Sequence, residues 1–290
     1  MKIHLRPSPP VLSRALTRVA DALERTVPAG VTLVPDPGAA DLTVHHVLGR
    51  GQLDAMRQDI RSGRPFAALQ YCLRSSDVPD VDDWVRIWGQ ARLVWSYYDL
   101  TDGLGTRNFY HAPLGVDRTV FNETPGLFSP GRPYLLCTTG YVAETESLQE
   151  CADAVALCGG KMIHLGPSRL NLGPHVDYLL DLTDSHVAEV YRASKFVAGL
   201  RRIEGFELPV IEGFACGAIP ITFDGPHYRW FRRFAWQIPE AGPELTVLNL
   251  QAVLARGMAK LHNEQGDPDV ELRAFDWDTI TRGFWERLLA

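Results

Sequence analysis

Apolar positions along the chain follow two periods in turn. Short runs at Lys2–Leu5, 31–34, Leu42–Val47, 66–73 and 93–97 are rich in β-branched and aromatic residues and bounded by turn formers, which predicts strands. Between them Leu12, Leu16, Val19, Ala20, Leu23 and Val27 recur at helical spacing, and 53–61 and Val81–Trp88 also read as helices. The alternation resumes with strands at 134–138, 161–165, 178–182 and 196–200. Helices fall at 147–157 and from Asp184 onward, with Asp184 or Ser185 as the cap. From Pro209, a residue suited to a first helical turn, the positions Val210, Ile211, Phe214 and Ala215 form an apolar face. Gly217 stands where a left-handed cap is expected, and 218–223 reads as a buried strand closed by Asp224-Gly225-Pro226. Strand and helix in alternation predict parallel sheets covered by helices. The Pro- and Gly-rich stretch 121–133 reads as a linker between two of them.

Composition supports this picture. With 290 residues, 46% of them hydrophobic, the chain is long enough for two modest cores. No apolar run approaches the roughly 18 residues of a membrane span, and MKIHLRPSPP lacks the apolar core of a signal peptide, so the expected location is cytoplasmic. Five cysteines, odd in number and without C-x-x-C spacing, read as reduced buried thiols. The net charge of -6 is uneven: residues 1–115 hold 13 basic against 12 acidic side chains, and the remainder 16 against 23. Such a balance makes a poor general binder of nucleic acid, although the neutral first half leaves DNA possible as a partner. The phosphate-binding loop of kinases, the dinucleotide G-x-G-x-x-G and the zincin H-E-x-x-H are all absent. Asp80-Val81-Asp82 and Asp267-Pro268-Asp269 offer metal-type carboxylate pairs, but in turn-like surroundings, and no metal is expected.

The chemistry concentrates in RRIEGFELPVIEGFACGAIPIT, residues 201–222. Glu204 and Glu212 flank a short helix whose unpaired first-turn amides, near Phe206 to Val210, form a positive end suited to a phosphate. Glu204, seven residues and Glu212, followed by GFACGAIPIT, resemble the Glu-x7-Glu signature of retaining GT-B glycosyltransferases of the family 4 type. The stretch departs from that pattern at Glu207, where glycine is usual, and at Gly213-Phe214, where Ala-Met is usual. His111-APLGVD-Arg118-TVF is similar to the family's PxGVDxxxF segment, and FDWDTITRGFWERLLA to its closing helix.

The resemblance implies a GT-B α/β fold of two Rossmann-like domains facing a cleft. The first domain (1–120) is reduced and acceptor-side, 121–133 links, 134–275 binds the nucleotide sugar, and 276–290 returns as a helix to the first domain. It implies transfer of a sugar from a nucleotide diphosphate donor, a UDP- or GDP-sugar, to a hydroxyl acceptor with retention. The leaving phosphate itself helps to deprotonate the acceptor, so no further cofactor is expected. Donor contacts carry over to Gly140, Gly205, Phe206, Glu207, Leu208, Glu212 (ribose) and the Leu180 turn, and catalytic roles to Glu204 and His46. His45, Tyr98 and Asp99 are acceptor-side candidates at strand ends. The family also carries an Arg and a Lys after the glycine equivalent to Gly140. Here TTGYVAETES contains no cation, and Arg201 or Arg202 is the available replacement. Two other readings stand beside this one: a phage-type DNA glycosyltransferase acting on hydroxymethylated bases, and a non-catalytic nucleotide-sugar-binding protein. A nucleotide-sugar 2-epimerase shares the fold.

Overall fold

The structure, a computed structural model, describes residues 1–5, 13–47, 50–71, 81–101, 105, 108–124, 133–140, 145–202, 206–259 and 267–290. Two units divide the chain. The first takes Met1–Gly115, Phe206 and Phe275–Ala290, and the second takes residues 116–202 and Glu207–Ala274.

In the first unit β1 (Lys2–Leu5), α1 (Ser13–Arg25), β2 (Thr32–Leu33), β3 (Leu42–Val47), α2 (Arg50–Ser62), β4 (Phe66–Gln70), α3 (Val81–Trp88), β5 (Leu93–Ser96) and β6 (Phe109–His111) follow one another. All neighbouring strands pair parallel, in the order β2-β1-β3-β4-β5-β6. Every residue of β3, β4 and β5 is buried, as expected of parallel strands covered on both faces. On one face Leu53, Met56, Trp84 and Trp88 pack with Val47, Phe66, Ala68 and Val94. Trp84 and Trp88, one helical turn apart, stack at 5.0 Å between ring centroids and belong to this core.

The second unit runs β7 (Tyr134–Thr139), α4 (Leu148–Leu157), β8 (Met162–Gly166), β9 (Val176–Leu180), α5 (Asp184–Arg192), β10 (Ser194–Gly199), α6 (Leu208–Ala215), β11 (Ile219–Phe223), β12 (Trp236–Ile238), α7 (Pro243–Ala259) and the single turn α8 (Pro268–Glu271). Its sheet is again parallel, ordered β12-β11-β10-β7-β8-β9. Chain order reverses between β7 and β10, whose carboxyl ends therefore border the natural ligand crevice of a doubly wound sheet.

The closing helix α9 (Trp277–Leu289) belongs to the first unit. Asp276 caps it by accepting from the Thr279 amide at 2.8 Å, and Trp277, Ile280, Thr281, Phe284, Trp285 and Leu288 form its buried stripe. It packs back on α1 as expected: Trp285 Nε1 donates to Leu23 O at 3.1 Å, and the Thr26 and Thr281 hydroxyls meet at 2.8 Å. Among the described residues no helix is long and apolar enough to cross a membrane.

Differences from the sequence pattern are local. The α5 cap is Thr183, whose hydroxyl accepts from the His186 amide, rather than Asp184 or Ser185, because the helix begins one residue earlier than its apolar face. Strands β6 and β12 are three residues long and too short to show a period, and α7 exposes Leu245 and Leu248, which blurs its stripe. Cys137, Cys151, Cys158 and Cys216 are free thiols; burial raises each, Cys216 to about 12, while Cys72 lies outside the described residues.

Helix α6 ends as its sequence predicts. Gly217 adopts φ 77°, its amide bonds Phe214 O at 2.9 Å, and the Ala218 amide bonds Gly213 O at 2.9 Å, the paired bonds of a Schellman motif. Gly213, one of the departures noted above, lets α6 lie close against β10: a Cβ there would come within 2.5 Å of Val197 Cγ1. Gly213→Ala is accordingly expected to destabilise the protein by about 1 to 3 kcal/mol through overpacking, read from the shift in urea midpoint.

Candidate functional site

Strands β8 and β10 end in Gly166 and Gly199, and Gly140 directly follows β7. A side chain on any of them would collide with a group already there. At Gly140 a Cβ would overlap Glu146 Oε2. At Gly199 it would meet Val210 Cγ2 at 2.5 Å and Glu207 Cγ at 2.9 Å, and at Gly166 the Gly140 carbonyl at 2.8 Å and His164 Nε2 at 2.9 Å. Two carboxylate side chains thus lie over the ends of the two strands where chain order reverses.

Between those carboxylates sits the guanidinium of Arg201. Its Nε is 3.2 Å from Glu207 Oε2 and 3.5 Å from Glu146 Oε1, with side-chain exposures of 15% for Arg201, 2% for Glu207 and 6% for Glu146. The backbone of Arg201 is fixed from another element. The Tyr228 hydroxyl accepts from its amide at 3.0 Å and donates to its carbonyl at 2.7 Å, and Tyr228 is fully buried. The Arg202 amide donates to Thr145 O at 2.8 Å, which ties the segment after β7 to the segment after β10.

His164 lies beneath this group, with no exposed surface. Its Nδ1 is 2.9 Å from the Thr138 hydroxyl on the paired strand β7. Burial lowers its pKa to about 4, with the Gly140 backbone opposing that shift and the Arg201 charge reinforcing it, so the ring is neutral.

Arg202 has a different task from Arg201. It donates to Ala241 O at 2.7 Å, contacts Glu150 Oε1 at 3.3 Å and Thr246 Oγ1 at 3.4 Å, and lies 5.2 Å over the Phe223 ring. Of the two candidate cations, Arg201 is the one beside Gly140. Glu207 is the N-cap residue of α6 and Leu208 opens that helix, but Glu207 faces Arg201 and makes no side-chain cap bond. Glu212, 4% exposed on the same helix, has its Oε2 3.5 Å from the Tyr191 hydroxyl. Leu180 stands at the end of β9, two strands from β7, and is 38% exposed. Phe206 contributes its ring to the first unit, 5.6 Å from Tyr97 and 6.1 Å from Phe275. Glu204 and Gly205 lie outside the described residues, as do residues 141–144 of the loop after Gly140.

The first unit holds the remaining candidates. His45 has no exposed surface, and its Nε2 is 2.7 Å from Asp59 Oδ2 on α2. Because side chains alternate along a strand, His46 points the other way, its Nδ1 2.8 Å from the Tyr71 hydroxyl. Burial, with a smaller contribution from the His45 charge, lowers His46 to about 4, and burial holds Tyr71 as a phenol. Tyr98 is half-buried with its ring 4.9 Å from Tyr97, and Asp99 accepts from the Thr101 amide and hydroxyl in a local turn. Asp267 caps a turn and Asp269 pairs with Arg118, and the described residues contain no group of three or more His, Cys, Asp or Glu able to hold a metal. Asp80 lies outside the described residues.

Glu146, His164 and Tyr228 were not among the residues anticipated from sequence. A histidine in an otherwise apolar strand was a detectable signal for His164; nothing local marks the other two.

No protein-family model matches the chain, and no curated protein does. Solved structures do. Sucrose-phosphate synthase from Thermosynechococcus elongatus is similar with a TM-score of 0.77 at 14% identity, over 99% of this chain and 98% of that one. HepE of Anabaena, solved in complex with UDP-glucose, gives 0.72 at 14% identity, over 99% of both chains. AviGT4, a glycosyltransferase involved in avilamycin A biosynthesis, gives 0.67 at 13% identity, over 99% and 97%. The chain has the GT-B fold, two Rossmann-like α/β units with parallel six-stranded sheets.

Two outcomes follow from the site's geometry. Tyr228→Phe removes both hydrogen bonds to the Arg201 backbone and is expected to cost roughly 1 to 3 kcal/mol in a denaturation series. His46 and His164 are neutral in the folded protein at pH values where the unfolded chain, with a pKa of about 6.5, is protonated. Their contribution is therefore present above about pH 6.5 and lost as pH falls toward 4. His164→Gln should show a smaller loss of melting temperature between pH 7 and pH 4.5 than the parent chain.

Proposed function

We propose that the chain is a retaining glycosyltransferase that moves a sugar from a UDP- or GDP-sugar to a hydroxyl acceptor. The observation that carries this reading is Arg201 beside Gly140 at the reversal point of the second sheet. There a cation lies beside a backbone position that carries no side chain, where a doubly wound fold receives a nucleotide. Arg201 takes charge developing on the diphosphate, in place of the Arg and Lys that the family carries after its glycine. The amides opening α6 add partial positive charge, Glu212 accepts the ribose hydroxyls, and Glu204 faces the donor sugar. His46, Tyr98 and Asp99 are assigned to the acceptor side and to positioning. Likeness in fold to a sucrose-phosphate synthase, and to HepE solved in complex with UDP-glucose, supports the same class of donor.

A second reading has its own observation. Two buried carboxylates adjoin the Arg201 guanidinium, an arrangement that opposes a diphosphate and suits a non-catalytic or weakly binding relative.

Incubation with a panel of UDP- and GDP-sugars, followed by release of nucleoside diphosphate and by the anomeric configuration of any product, separates the two. Turnover of one donor with retained configuration is the expected result. Binding without turnover across the panel favours the second reading, and inversion at the anomeric carbon would sink the first. Glu212→Ala is expected to weaken binding of the nucleoside diphosphate by about tenfold or more, measured calorimetrically.

A further inference from the structure

The place a phosphate needs beside Gly140 is already filled by an anion. Glu146 Oε2 lies where the Cβ of residue 140 would be, and its other oxygen reaches the Arg201 guanidinium at 3.5 Å. A diphosphate drawn to the Gly140 backbone and to Arg201 requires both that volume and that cation. Two anions in one water-poor seat repel, and only one can have the guanidinium.

We propose that Glu146 is an internal competitor for the donor: its carboxylate occupies the phosphate seat in the free protein and surrenders Arg201 when a nucleoside diphosphate binds. This rests on the donor reading above. Glu146 rather than Glu207 is the group that yields. The Glu207 side chain, 2% exposed, is packed over Gly199 through its Cβ and Cγ. Glu146 instead stands before Ser147, which is held in the left-handed region at φ 50° and ψ 34°. A non-glycine residue is strained in that conformation, as residues at segments that rearrange often are. A seat occupied in this way lowers apparent donor affinity by the fraction of time it is filled, so diphosphates bind more weakly than the cation and fold alone allow.

The test is calorimetric titration of the full chain with UDP, GDP and the corresponding nucleosides, for the parent, Glu146→Gln and Glu146→Asp. Melting temperature checks that each variant is folded. Glu146→Gln removes the charge at constant shape and is expected to bind its diphosphate about tenfold more tightly. Glu146→Asp, one methylene shorter, should gain several-fold, and both should leave nucleoside binding unchanged. Equal or weaker diphosphate binding by both variants, with the parent binding normally, overturns the inference and leaves the donor reading intact. A gain in parent affinity on adding Mg2+ that Glu146→Gln loses makes Glu146 a metal ligand and likewise overturns it. Diphosphate binding by none of the three proteins overturns the donor reading and the inference with it.

Discussion

A guanidinium held out of water between two carboxylates organises the carboxyl edge of the second unit. Each of these charges loses several kcal/mol of hydration when buried, so each is tolerable only against its partners. Glu146 and Glu207 approach from different sides of the strand reversal, one from the segment after β7 and the other from the start of α6, and both meet Arg201. Most other features nearby serve that meeting. Tyr228 fixes the arginine backbone, the Arg202 amide bonds Thr145, and His164 fills the space beneath as a neutral ring.

Close approach is the second constraint. Glycines at 140 and 199 leave room for the two carboxylate side chains, and Gly213 brings α6 near enough to β10 for its first turn to stand over the strand end. Gly115 and Gly283 play a comparable part in the first unit, where they admit the Trp277 ring and the Tyr110 hydroxyl and so let α9 lie against the sheet. That unit also buries polar groups in pairs, His45 with Asp59 and His46 with Tyr71, which gives each ring one hydrogen bond out of contact with water.

Much of the fold was legible because its signals are local. The stripe of α1 and the Pro209 and Gly217 punctuation of α6 each follow from residues within one or two turns. The site was legible only in part. Arg201 and Arg202 are adjacent and chemically alike, and choosing between them depends on Glu150, Thr246 and Ala241, which lie 39 to 52 residues away. His45 and His46 are likewise neighbours in sequence, and strand alternation sends them to opposite faces with different partners.

The sequence by itself determined the alternation of strands and helices, the parallel character of both sheets, and the position of the Glu-x7-Glu segment after β10, since periodicity, caps and turn residues act over short distances. Tertiary structure alone decided that a glutamate would sit over Gly140 where the resemblance implies cations, and that Arg201 would be the arginine to meet it. Those outcomes depend on the order in which β7 and β10 lie side by side and on the burial that forces opposite charges together, neither of which any local run of residues encodes.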